Sequence, residues 1–379
     1  MLAETDVRWN FYAFKLLSKL YLLPFKISSE SGKFIANNNQ LTVVASSAYL
    51  TLLVLFLGLE VLRVFHLYIC SDISQNVRTF ALCFCSILGY GFFTFQFFML
   101  VRFRHTVVQI LNYDFQILGE FKIRDNPKNW RLYTLHEILI VMMPFNILLV
   151  TVFSMVLITL MPKEIYFPGL FICHEQPFAL WIFMMTFDIV MTAVAILPST
   201  AIHFSWTLTF MALTAKLELQ GNALRNGCDL KAIHEIANNC REIQLQTLLF
   251  NYVNATSLFV LKQLIHFGAV TFIFMALNWF QKSWTESAII LGIGCQLITI
   301  YVLYFGRAFE IPEKARVVKK IMLIAARRDL RGEILVKKAI AIPYIGIRIG
   351  IFKYFGKEST LLFCSFVVDQ VINLLISFR

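Results

Sequence analysis

Apolar residues run in long, nearly charge-free stretches along this chain. Seven stand out: Leu41 to Leu59, Thr79 to Val101, Ile138 to Met161, Ala179 to Ile202, Gln263 to Gln281, Ser287 to Gly306 and Ser359 to Phe378. At about 1.5 Å per residue, a helix of this length reaches across a ~30 Å hydrocarbon layer. The last stretch is not uniformly apolar. Ser365, Asp369, Asn373 and Ser377 recur every fourth residue, which on a helix makes one polar stripe drifting by about 40° per step. Gln370 borders the stripe, while Leu361, Val367, Val368, Val371 and Leu375 take other faces. A stripe with a carboxylate cannot face lipid; it meets protein or water. Two readings stay open here. In one, the stripe is an interior face bonded to neighbouring helices. In the other, it is a pore wall on which Asp369 forms an acidic ring that attracts cations.

Between the runs the pattern changes. Residues 1–40 set Trp9, Phe11, Tyr12, Phe14, Leu17 and Leu20 among lysines before Pro24. This predicts an amphipathic helix, either lying along the inner membrane surface or packed on the bundle. In 203–257, Leu213, Leu217, Leu219, Ile233, Ile236, Ile243, Leu245, Leu248 and Leu249 recur among charges, so the fourth and fifth helices are expected to continue beyond the membrane. Val317, Val318, Ile321, Met322 and Ile324 do the same in 307–358, followed by helical pattern around 332–340 and a break at Pro343, Gly346 and Gly350. Amphipathic helices outside a membrane need a partner surface, and the simplest is the same segment of other subunits.

Charge gives the direction. The segments 1–40, 102–137, 203–257 and 307–358 carry 28 of the 34 Lys and Arg residues, and the opposite set carries 5. Positive residues stay on the cytosolic side, which predicts a cytosolic N-terminus and an extracellular C-terminus. The net charge of +11 is thereby explained without nucleic acid. Composition agrees with the class: 58% hydrophobic and 15% charged, where soluble domains have about 25% charged. The expected fold is an all-α membrane protein with seven transmembrane helices. Its parts are a cytosolic amphipathic segment (1–40), a six-helix bundle (41–306) with cytosolic extensions of helices 4 and 5, cytosolic anchor helices (307–358) and the terminal helix (359–379). Seven spans with an internal N-terminus do not fit a G-protein-coupled receptor, and neither Asp-Arg-Tyr nor Asn-Pro-x-x-Tyr is present.

Candidate chemistry is sparse. Eight cysteines include no CxxC pair, the histidines show no metal spacing, and no nucleophile–base set or phosphate loop appears. Neither a cofactor nor enzymatic activity is expected. Cys70 and Cys173 fall in the two longer external loops, where they could pair. Asp188 stands inside the fourth run, where a carboxylate costs several kcal/mol and has a partner or a function. An ion-coupled secondary transporter using Asp188 and Asp369 is therefore the alternative to a channel, although no repeated halves are visible.

The chain resembles the arthropod gustatory and odorant chemoreceptors. The resemblance covers the whole architecture, and several local segments share it. These are Leu16-Leu17-Ser-Lys-Leu20 with Leu23-Pro24-Phe25, then Ile233-His234-Glu-Ile236 followed by Leu248-Leu249-Phe250-Asn251, and Gly350-Ile-Phe352 before the last helix. The family's Thr-Tyr, five residues, Gln-Phe signature is reduced here to Phe378, with Gln370-Val371 and Ser377 at the other places, so the chain is a divergent member. The resemblance implies a plasma-membrane receptor that is a ligand-gated, non-selective cation channel of four subunits, as a homotetramer or with a co-receptor. It implies a pore lined by Ser365, Asp369, Gln370, Asn373, Leu374, Ile376 and Ser377, with Leu374 or Ile376 near the constriction. It also implies a small organic ligand in the outer half of each subunit, where Phe80, Phe84, Met155, Trp181, Met184, Met185, Asp188, Phe274 and Trp279 stand. Trp181, Met184, Met185 and Asp188 share one helical face.

Overall fold

The computed structural model describes residues 7–28, 33–70, 73–120, 134–160, 178–226, 230–280, 284–327, 333–351 and 353–377, at some helix ends by backbone alone. Among them, six helices are long and apolar enough to cross a membrane. They lie at Gln40–Leu62, Leu135–Val152, Ile182–Arg225, Lys231–Asn278, Ile290–Arg327 and Glu358–Ser377, with a shorter apolar helix at Ile87–Arg102. Two compact units divide the chain: residues 2–108 with 138–204, and residues 109–137 with 205–379.

The first unit opens with α1 (Arg8–Lys19), which buries Asn10, Phe14 and Leu17. It stops at Tyr21, whose backbone takes the left-handed conformation (φ 59°). Tyr21 N–H bonds to Ser18 O and Leu22 N–H to Leu17 O, the paired bonds that close a helix C-terminus. A hairpin missing from the sequence reading follows, with β1 (Phe25–Ile27) antiparallel to β2 (Phe34–Ala36) and Lys26 opposite Ile35. The Phe14 ring meets Phe25, Phe34 and Phe204 edge-on.

Then come α2 (Gln40–Cys70), α3 (Ile73–Arg102), the start of α4 (Arg104–Glu120), most of α5 (Leu135–Leu160) and α6 (Phe178–Ile196). Leu53, Phe56, Phe97, Met191 and Ala195 form a buried cluster where α2, α3 and α6 meet. The fourth run is not one helix. Pro198 has no N–H to continue the ladder, and α7 (Ser199–Arg225) begins after it. Ser199 Oγ donates to Ile196 O and Thr200 Oγ1 to Leu197 O, so the break leaves those carbonyls satisfied.

In the second unit, α7 packs beside α8 (Leu230–Trp279, 50 residues) and α9 (Trp284–Arg327, 44 residues). Helix α8 thus runs without interruption through most of the charged and apolar pattern of the 203–257 segment. Helix α9 likewise continues past residue 306 and through Pro312. Close approach of α8 and α9 rests on glycines, since a Cβ on Gly268 would lie 2.9 Å from Leu297 Cδ1 and one on Gly294 2.7 Å from Ile273 Cγ1. Small residues allow such contact between helices that gain nothing hydrophobic from leaving lipid. After α10 (Glu333–Ala341) the chain extends along α8. Asn251 Nδ2 donates to Gly346 O, and Arg348 N–H donates to Asn251 Oδ1. Gly350 adopts φ +64° close against Phe259, its N–H bonded to Ala255 O. A short hairpin of β3 (Arg348–Ile349) and β4 (Lys353–Tyr354) leads into α11 (Glu358–Ser377).

Candidate functional site

Helix α11 has two unlike faces. Phe363, Val367 and Val371, four residues apart, are buried. The Phe363 ring stacks on Tyr301 of α9 with centroids 3.9 Å apart and meets His266 of α8 edge-on. The polar stripe begins two residues after that row, about 200° around the helix axis at 3.6 residues per turn. The packed face therefore turns it outward: Ser365, Asp369, Asn373 and Ser377 are all exposed, as are Gln370 and Ile376, while Leu374 is half-buried. Ser365 Oγ lies 3.5 Å from Asp369 Oδ2, and Ser377 Oγ donates to Asn373 O. Such i, i+4 contacts satisfy hydroxyls along the helix without withdrawing the carboxylate from its surroundings. Near the first turn of α11 an open cleft of about 790 Å³ brings Lys262, Arg316 and Lys357 beside Glu313 and Glu358.

The other candidate residues are distributed differently. Asp188 is buried on α6 (4% exposed), next in sequence to Phe187, which packs against the α2–α3–α6 cluster, and three residues before its member Met191. One turn on, Thr192 Oγ1 donates to Asp188 O and shares a 2.5 Å hydrogen bond with Tyr90 OH. Met184 and Met185 on the same helix are half-buried, as is Met155 on α5. Phe274, also half-buried, belongs to the second unit. The side chains of Phe80, Phe84, Trp181 and Trp279 lie outside the described residues. So do the thiols of Cys70 and Cys173; of the described cysteines, Cys240, Cys295 and Cys364 are free.

One polar site escaped the sequence reading. Asp114, on α4 outside the candidate spans, is fully buried. Thr209 Oγ1 of α7 donates to its Oδ2 at 2.5 Å, and Gln246 Nε2 of α8 donates to its Oδ1. One carboxyl group thus ties three helices together. Burial pushes its pKa well above the ordinary 3.8, and the two hydrogen bonds only partly offset this. Nearby, Lys216 is committed elsewhere, with Nζ 2.7 Å from Glu242 Oε2 and 3.3 Å from Tyr113 OH. The sequence signal was the spacing of Val107, Ile110, Leu111 and Ile117 around Asp114, a helical apolar face interrupted by one acid.

No family model matches the sequence, and no curated protein does. The fold does have solved counterparts. The chain is similar to the insect olfactory receptor OR5 from Machilis hrabei in complex with eugenol, with TM-score 0.67 and 13% identity over 98% of each chain. It is similar to a second structure of that receptor with TM-score 0.61 and 12% identity, over 97% of this chain and 98% of the other. The chain has the fold of an olfactory-receptor subunit.

Proposed function

We propose that this chain is a chemoreceptor subunit, a ligand-gated, non-selective cation channel in which several copies surround one axis. The observation that carries this reading is the exposure of the α11 stripe. A single chain packs Phe363, Val367 and Val371 and leaves Ser365, Asp369, Asn373 and Ser377 outward. A helix apolar enough to cross the bilayer cannot leave a carboxylate and an amide against lipid, so copies of α11 enclose water. In a four-fold assembly Asp369 forms an acidic ring that concentrates cations, and Leu374 or Ile376 sits near the constriction toward the extracellular end. The cytosolic N-terminus follows from the distribution of Lys and Arg.

The ligand site in this proposal is the α5–α6 region of the first unit, where Met155, Met184, Met185 and Asp188 stand. The similar receptor carries eugenol, and an aromatic and methionine wall with one acid suits a small organic molecule bearing a donor or a cation. Exposure of Asp369 supports a channel over a coupled transporter, whose site would have to close over that carboxylate.

Particle imaging of the purified protein is expected to show four-fold symmetry with α11 innermost. In cells expressing it, a ligand-evoked cation current is expected, and Asp369→Asn should reduce cation over anion preference. A monomer, or an assembly with α11 at its lipid edge, ends the proposal.

A further inference from the structure

Helix α1 packs only one of its faces. Asn10, Phe14 and Leu17 are buried, yet Trp9 (57% exposed), Tyr12, Leu16 (59%) and Leu20 remain outside. Arg8, Lys15 and Lys19 are exposed on the same side, and the helix contains no acid. Its position against the spans is recorded by its hydrogen bonds. Asn10 Nδ2 donates to Ile140 O, and Tyr49 OH donates to Leu20 O. The Trp9 ring meets Phe145 edge-on at 5.8 Å. The candidate spans begin at Gln40 and Leu135, so residues 49, 140 and 145 stand nine, five and ten positions inside them. That is about 8–15 Å of helix, overlapping the ~5–10 Å depth of an interfacial helix. The exposed apolar side of α1 is also continuous with the exposed side of α5, where Met142, Phe145 and Leu149 point outward.

From this we infer that α1 is a binding element for anionic phospholipid. The orientation in the proposed function makes it the inner leaflet that supplies the lipid. Trp9, Tyr12, Leu16 and Leu20 lie among the upper acyl carbons, and the stems of Lys15 and Lys19 reach back to the headgroup phosphates. Arg8 Nη2 donates to Tyr12 OH at 2.9 Å with its guanidinium over that ring. The Tyr12 proton and the remaining guanidinium N–H groups stay available to one phosphate. Depth selects lipid over a soluble polyanion, and continuity with the face of α5 selects it over a second copy of the chain.

The test uses full-length protein in phosphatidylcholine vesicles containing a trace of photoactivatable phosphatidylserine or photoactivatable phosphatidylcholine, with mass-spectrometric mapping of labelled peptides. Each cation near the headgroups contributes about a five-fold preference, so serine-lipid labelling of residues 7–20 should exceed choline-lipid labelling at least that much. In R8Q/K15Q/K19Q the two labels should reach parity, while choline-lipid labelling of residues 135–152 stays unchanged. Lys15→Arg should keep the preference, which separates charge from packing. Equal labelling of the wild type overturns the inference, as does a preference that survives the triple substitution. Protection from both lipids with cross-links between chains would assign the face to a second copy. Equal occupancy by soluble inositol hexakisphosphate in detergent would assign it to a free polyanion. Ligand-evoked currents from the same vesicles report separately on the channel proposal.

Discussion

Replacing Asp114 puts a number on the clamp that ties α4, α7 and α8 together. In Asp114→Ala, the Thr209 hydroxyl and the Gln246 amide lose their acceptor in a fully buried site. Each buried donor left unpaired costs about 1–3 kcal/mol, and Gln246 Oε1 already lacks a partner among the described residues. With two such donors the substitution should destabilise by about 2–6 kcal/mol, a large share of a typical 5–15 kcal/mol. Asp114→Asn keeps an acceptor and removes the charge that burial disfavours, so it should cost less than about 1 kcal/mol near neutral pH. The sign of the pH dependence follows from the raised pKa. The folded state holds this proton at pH values where the unfolded chain has lost it, so wild-type stability falls as pH rises from the ordinary 3.8 toward the raised value. Removing the carboxyl removes that contribution, at most about 1.36 kcal/mol per pH unit. Melting midpoints of the full-length protein in nanodiscs, followed from pH 5 to 8, read both effects. The reasoning fails if Asp114→Ala melts with the wild type, or if wild type and Asp114→Asn share one pH slope.

Other consequences concern packing and ligand response. Phe363→Ala removes the ring stacked on Tyr301 and should lower the melting midpoint through a loss of about 3–5 kcal/mol. Gly294→Ala places a methyl group 2.7 Å from Ile273 Cγ1 and 3.3 Å from its backbone N, and should destabilise by about 1–3 kcal/mol in the same assay. Asp188→Asn should shift the ligand concentration–response curve about tenfold or more, as expected when a charged hydrogen-bond partner is lost, without moving the reversal potential. A changed reversal potential would place Asp188 in the permeation path.

What the sequence made legible was whatever local pattern controls. Ser365, Asp369, Asn373 and Ser377 stand every fourth residue, and that spacing alone places them on one face. The charged, apolar-striped stretches likewise imposed long helices such as α8. Elsewhere the deciding contacts are distant. Asp114 is 95 residues from Thr209 and 132 from Gln246, so nothing beside it in the chain identifies its partners. The hairpin of Phe25–Ile27 and Phe34–Ala36 is held by rings packed on Phe14, and three-residue strands carry too little alternation to be read. Pro198 was visible, but whether a proline kinks a helix or ends it depends on who satisfies the freed carbonyls. Here Ser199 and Thr200 do so, and a new helix begins. Pro312, by contrast, is absorbed within α9.

The most direct measurement is water access along α11 in a conducting channel. With Cys364 and Cys295 first changed to serine, single cysteines are placed at Ser365, Asn373 and Val367. A cationic methanethiosulfonate is then applied during ligand-evoked current. Modification at positions 365 and 373 should cut the current by more than about half, since a bulky cation fixed in the lumen blocks other cations, and position 367 should be silent. If 367 reacts as readily as 373, or neither stripe position reacts while the channel conducts, the terminal helix does not line the pore.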